Sequence, residues 1–193
     1  MWISTALLVF LAALVAALVL QRVVRVWWKY RGTRVITCPE NRQTAAVEVK
    51  AGSAAVVSLA GAPRVRLSAC SRWPERAGCG QECLSQVEAA PEDCLVRNIL
   101  VLWYTGKRCA SCGKPFGEIP LAGAKPAVLG ADRVSVEWSQ IPADRLPETL
   151  AAGRPICFAC HMGNMLVRKH PELVVDRHRS AGSGGDRRLR TGP

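Results

Sequence analysis

The stretch "RPICFACHMGN", residues 154–164, holds Cys157, Cys160 and His161 in the order C-x-x-C-H. That order is the attachment signature of a c-type haem, and it is equally half of a four-cysteine metal site. A possible second half lies upstream in "RCASCGKP", residues 108–115, where Cys109 and Cys112 form another C-x-x-C. Between the pairs lie 44 residues. They include "AVLGADRVSVEW", which reads as two strands joined near Gly130 to Arg133.

A tetrahedral zinc ion takes four soft ligands, and a C-x-x-C turn offers it two thiolates at once. Two such turns complete a closed shell. The second pair also leads into a helical stretch, so its thiolates lie at a helix N-terminus, where the macrodipole favours negative charge. The order of knuckle, hairpin, then C-x-x-C opening a helix resembles the treble-clef zinc finger over residues 109–170. The resemblance implies Cys109, Cys112, Cys157 and Cys160 as ligands, although the insert between the pairs is longer than in compact members of that family.

The haem alternative would use Cys157, Cys160 and His161. It leaves Cys109 and Cys112 unexplained, it offers no distal ligand that reaches the opposite face, and c-type attachment takes place outside the cytoplasm. A thioredoxin-like motif requires a βαβ unit, and neither pair lies in one.

Cys38, Cys70, Cys79, Cys83 and Cys94 remain. Cys38 and Cys70 stand at the edges of expected strands, and Cys79 and Cys83, four apart, would share a helix face if that turn is helical. The runs "TCPEN", "SACSRW" and "CGQECL" resemble a pattern in small bacterial cysteine-rich proteins. That resemblance implies Cys38, Cys70, Cys79 and Cys83 as a second set, for zinc or for an iron-sulfur cluster. Cys94 is left as a small buried side chain in the first turn of a helix.

Residues 2–20, "WISTALLVFLAALVAALVL", contain no charge. As a helix they span about 28 Å, close to a bilayer core. A signal peptide would begin with a basic n-region and stop sooner. The basic residues lie instead beyond the span, at Arg22, Arg25, Lys29, Arg31 and Arg34. The positive-inside rule therefore places that flank, and the domain after it, in the cytoplasm of an inner-membrane protein. Trp27, Trp28 and Tyr30 suit the headgroup level, and residues 22–34 suit contact with anionic lipid.

The formal net charge of +11 sits mostly at the two ends of the chain. The stretch 35–175 has 16 Lys and Arg against 13 Asp and Glu, with no interleaved basic and aromatic stripe, which argues against nucleic acid.

Elsewhere, "RVITCPENRQTAAVEV" reads as two strands around a turn, "SAAVVSLAG" as a short helix capped at Gly61, and "RVRLSAC" as a strand. The pattern turns helical from Gly80. "PEDCLVRNILVLWYTGK" reads as the clearest helix, with Leu95, Ile99 and Leu102 as its core stripe. "IPADRLPETLAAG" suggests a short capped helix, and residues 161–170 a helix stopped at Pro171.

There is no phosphate loop and no G-x-S-x-G, and the three histidines have no acid or nucleophile partner by spacing. The expected protein is α+β and non-enzymatic. It comprises a transmembrane helix (1–21), a basic juxtamembrane segment (22–34), a cysteine-rich subdomain (35–106), a treble-clef-like finger (107–175) and a disordered tail (176–193). It would carry two zinc ions and serve as a membrane-anchored binding or assembly module for a protein partner. An electron carrier and a thiol-based sensor are the alternatives.

Overall fold

A computed structural model describes residues 2–76, 78–120 and 123–173. Its longest element is the helix α1, Trp2–Tyr30. At 29 residues it is about 43 Å long, more than the roughly 30 Å of a bilayer's hydrocarbon. The span Ser4–Tyr30 has a mean hydropathy of 2.5 and is long and apolar enough to cross a membrane.

The basic segment expected to follow α1 is mostly its continuation, and two of its arginines bond within the protein. Arg22 Nε donates to the Ser58 carbonyl at 2.9 Å, and its Nη2 to that of Gly61 at 3.4 Å. Tyr30 is buried in the first core. Arg34 is fully buried, and donates to the carbonyls of Lys29 (2.6 Å), Tyr30 (2.7 Å), Gly32 (3.0 Å) and Pro91 (3.2 Å). The last carbonyls of a helix have no donor of their own. The Arg34 guanidinium supplies one and thereby closes α1. Trp27 and Trp28 stay exposed, with the Arg31 guanidinium over both rings at 4.6 and 4.1 Å.

The first unit is an antiparallel sheet of β1 (Thr33–Thr37), β2 (Thr44–Val49) and β3 (Leu67–Cys70), in that order. Alternation in β2 sends Ala45, Val47 and Val49 to the core, as period-2 patterning requires. The helices α2 (Ala51–Val57) and α3 (Leu84–Ala89) cover this core with Ala54 and Val87. α2 ends at Ser58, short of the expected cap at Gly61, and the Ser58 hydroxyl donates to the Ala55 carbonyl. Cys83 is the N-cap of α3, and Cys79 precedes the helix, so the two do not share a helix face.

The second unit begins with α4, Val96–Tyr104, shorter at its start than the sequence suggests. Cys94 lies in the turn before it, because its carbonyl accepts the Val35 N–H at 2.8 Å and extended Leu95 bridges Arg34. The pull of β1 therefore overrides helix propensity. The buried face of α4 is Leu100 and Tyr104, whereas Leu102, expected in the stripe, is 77% exposed.

Next come β4 (Ala127–Leu129), β5 (Ser135–Glu137), α5 (Leu146–Ala152), β6 (Arg154–Ile156) and α6 (Phe158–Lys169), with sheet order β5-β4-β6, all antiparallel. The β4–β5 hairpin is as expected, but β6 is not foreseen. Gly153, between α5 and β6, has no room for a side chain: a Cβ there would lie 2.2 Å from Val128 Cγ1 and 2.7 Å from the Thr149 carbonyl. α6 begins three residues before the expected start. The tail from residue 176 lies outside the described residues.

Candidate metal centre

The turn carrying Cys109 and Cys112 is closed by its own backbone. Cys109 N–H donates to the Lys114 carbonyl and Gly113 N–H to the Cys109 carbonyl, both at 2.9 Å, while Arg108 and Pro115 bridge beneath it. The closure places Gly113 at φ +72°, a conformation that costs an L residue its Cβ clash and costs glycine nothing. Ala110 N–H donates to the Pro155 carbonyl at 2.8 Å, which ties the turn to β6.

β6 hands the chain to α6 with Cys157 as N-cap and Cys160 in the first turn. Cys157 N–H points at Cys109 Sγ at 3.3 Å, and the Cys112 and Cys157 sulfurs are 3.9 Å apart. The four Sγ atoms of Cys109, Cys112, Cys157 and Cys160 all lie within 4.8 Å of one another. Zinc–sulfur bonds of 2.3 Å in a tetrahedron set the sulfurs about 3.8 Å apart, so this spread suits one ion.

The thiols differ in how readily they ionise. Burial opposes charge on Cys109, but N–H groups of Cys112, Cys157 and Ser111, with the Cys112 thiol, outweigh it and bring Cys109 down to about 6. The Ser111 hydroxyl favours charge on Cys160, yet burial and the thiols of Cys157, Cys112 and Cys109 push it up to about 12. One thiolate is thus favoured in the metal-free site and a crowd of them is not. A cation among the sulfurs removes that conflict, because metal binding and thiol deprotonation are linked. Arg133 and Arg154 line the shallow cleft beside Cys160, which suits a centre whose four thiolates leave a net charge of about −2 around a divalent ion.

His161 is buried, at 4% exposure, and its Nδ1 lies 2.8 Å from Ser135 Oγ. Ser135 in turn donates to Asn164 Oδ1 at 3.0 Å, and Asn164 Nδ2 to the Arg133 carbonyl at 3.2 Å. The ring therefore fastens α6 to β5. No spacing in the sequence signals this use, since Ser135 is 26 residues away.

The second cysteine set is looser. Among the described residues no second group of three or more metal-ligating side chains is drawn to the same closeness. Cys38, Cys79 and Cys83 nevertheless line one cleft of about 310 Å³, and Cys70 packs against the same core as Cys38 and Cys83. Arg72 Nη1 donates to Cys38 Sγ at 3.1 Å, a contact with no signal in the sequence. Cys94 is half-buried, with its Sγ 3.6 Å from the Pro91 carbonyl. Burial pushes its thiol up, against the nearby Arg34 charge.

No family model, curated protein or solved structure matches this chain.

Proposed function

We propose that the chain is a membrane-anchored zinc protein in which Cys109, Cys112, Cys157 and Cys160 hold one ion as a structural centre. The observation that carries this reading is the convergence of four sulfurs within 4.8 Å. The surrounding order of knuckle, hairpin and helix N-terminus supports a treble-clef-like finger. All four positions are taken by thiolate, so the centre is closed and lacks the open position that hydrolytic zinc keeps for water. Its role is then to hold a surface in shape for a protein partner, as a non-enzymatic binding or assembly module.

Haem fits these residues less well. Cys157 and Cys160 share one ion-sized space with the other two sulfurs, and the His161 ring is taken up by Ser135. The apolar span of α1 followed by basic residues supports an inner-membrane anchor with the domain in the cytoplasm.

The test is the absorption spectrum and metal content of the full chain purified in detergent. Colourless protein with bound zinc is expected. A Soret band, or a broad brown iron-sulfur spectrum, contradicts the proposal. A reporter fused after Pro193 tests orientation: activity confined to the outer side of the membrane contradicts the cytoplasmic placement.

A further inference from the structure

The turn after β1 repeats the geometry of the Cys109 turn. Cys38 N–H donates to the Gln43 carbonyl and Arg42 N–H to the Cys38 carbonyl, both at 2.8 Å. These are the same two bonds, at the same offsets, that close Cys109 to Lys114 and Gly113. The residue at the fifth position has positive φ in both turns, +58° at Arg42 and +72° at Gly113. The sulfurs are cradled alike: Cys38 Sγ faces the N–H groups of Glu40 and Asn41, and Cys109 Sγ those of Ser111 and Cys112. Cys83 directly precedes α3 as Cys157 precedes α6, although Cys83 has helical backbone angles and Cys157 extended ones.

The match fails at the fourth position of the turn. Cys112 there is replaced by Asn41, whose side chain accepts the Gln43 N–H and donates to its side-chain oxygen. A four-thiolate site must therefore draw its other ligands from beyond the turn. Cys79 and Cys83 share a cleft with Cys38, and Cys70 ends β3 on the same core.

We propose that Cys38, Cys70, Cys79 and Cys83 form a second metal centre for a soft divalent ion such as zinc, with the Arg72 guanidinium donating to the Cys38 thiolate from outside the ligand shell. Thiolates select soft ions, and four of them around a divalent ion leave net negative charge. Arg72, held by Glu40 and Glu75, lies against that charge. The sulfurs are less tightly gathered than at the first centre, so the ion must tighten them as it binds. Part of its binding free energy goes into that ordering, and this centre fills second.

This inference rests on different cysteines from those of the proposed function, so the two can fail separately. The experiment is titration of the reduced, metal-free full chain in detergent with Co(II), followed by displacement with Zn(II). Two equivalents are expected, both with thiolate-to-cobalt charge transfer and tetrahedral d–d absorption. The Cys79→Ser/Cys83→Ser variant should bind one equivalent, and Cys109→Ser/Cys112→Ser should bind the other.

Saturation at a single equivalent that only Cys109→Ser/Cys112→Ser removes overturns the second centre and leaves the first intact. No thiolate-bound cobalt at all overturns both. Arg72→Gln keeps every thiol and guards against a variant that fails to fold. It should weaken the second equivalent about 10- to 100-fold and leave the first unchanged, whereas unchanged affinity at both overturns the role given to Arg72.

Discussion

The two units use the same cysteine turn in different surroundings. Around Cys38 the turn joins strands of five and six residues, whose core includes Ile36, Val47 and Leu67 and is capped by the end of α1. Around Cys109 the turn meets strands of three residues each, and Cys157 and Cys160 of the helix start opposite pack beside the small cluster of Cys109, Ala127, Leu129 and Ile156. Strands this short need packing against a core to hold together in water. On the proposed reading the difference teaches where metal matters most: the Cys109 turn and the short strands beside it lean on the ion, while the rest of the second unit has its own core around Leu100, Tyr104, Leu146 and Leu150, and the first unit's core stands directly behind its thiols.

The strongest way to break this comparison is to remove the ion. A strong chelator, or Cys109→Ser, should expose residues 107–169 to hydrogen exchange while β1 and β2 stay protected, because structural zinc contributes on the order of 10 kcal/mol to a small finger. Equal loss of protection in both units would show that the first core does not stand alone.

Arg34→Met tests the first unit on its own terms. It leaves the buried Tyr30 carbonyl and the part-buried carbonyls of Lys29, Gly32 and Pro91 short of a donor, and an unmet buried polar group costs about 1–3 kcal/mol. Thermal melting in detergent should fall for the first unit, with metal content at the Cys109 centre unchanged.

His161→Phe keeps the ring volume and removes the bond to Ser135, at an expected cost of about 1–3 kcal/mol. Here the C-terminal unit should weaken while haem-free zinc content persists. Loss of the metal would instead make the ring part of the centre.

The smallest and most pointed pair lies at the fifth position of the two turns. Gly113→Ala places a Cβ at φ +72° and should destabilise by about 1 kcal/mol. Arg42→Gly relieves the matching strain at φ +58° and should stabilise, by less than about 1 kcal/mol. Opposite signs in denaturant melts support the equivalence of the turns.

The first centre was legible because its signals are local. Each C-x-x-C lies within four residues, and the hairpin and helix between and after them carry their own turn and capping cues. What was illegible depends on partners far along the chain. β6 is three residues, one of them Pro155, and only its pairing with β4 makes it a strand.

Arg34 reads as one more basic residue of a membrane flank until α1 is seen to present its terminal carbonyls to it. Cys94 and Leu95 look helical, and bonding to Val35 and Arg34 holds them out of the helix. Leu102 fits an apolar stripe by spacing, but α4 starts only at Val96, and Leu100 and Tyr104 are the side chains turned inward. The equivalence of the two turns escapes spacing altogether, since Asn41 replaces the cysteine that would have announced it.

The central claim, one zinc held by Cys109, Cys112, Cys157 and Cys160, is tested most directly by zinc-edge X-ray absorption on the full chain carrying Cys79→Ser/Cys83→Ser, so that only this centre contributes. A single shell of four sulfurs at about 2.3 Å is expected. A shell containing nitrogen or oxygen, or protein that retains no zinc, would contradict it.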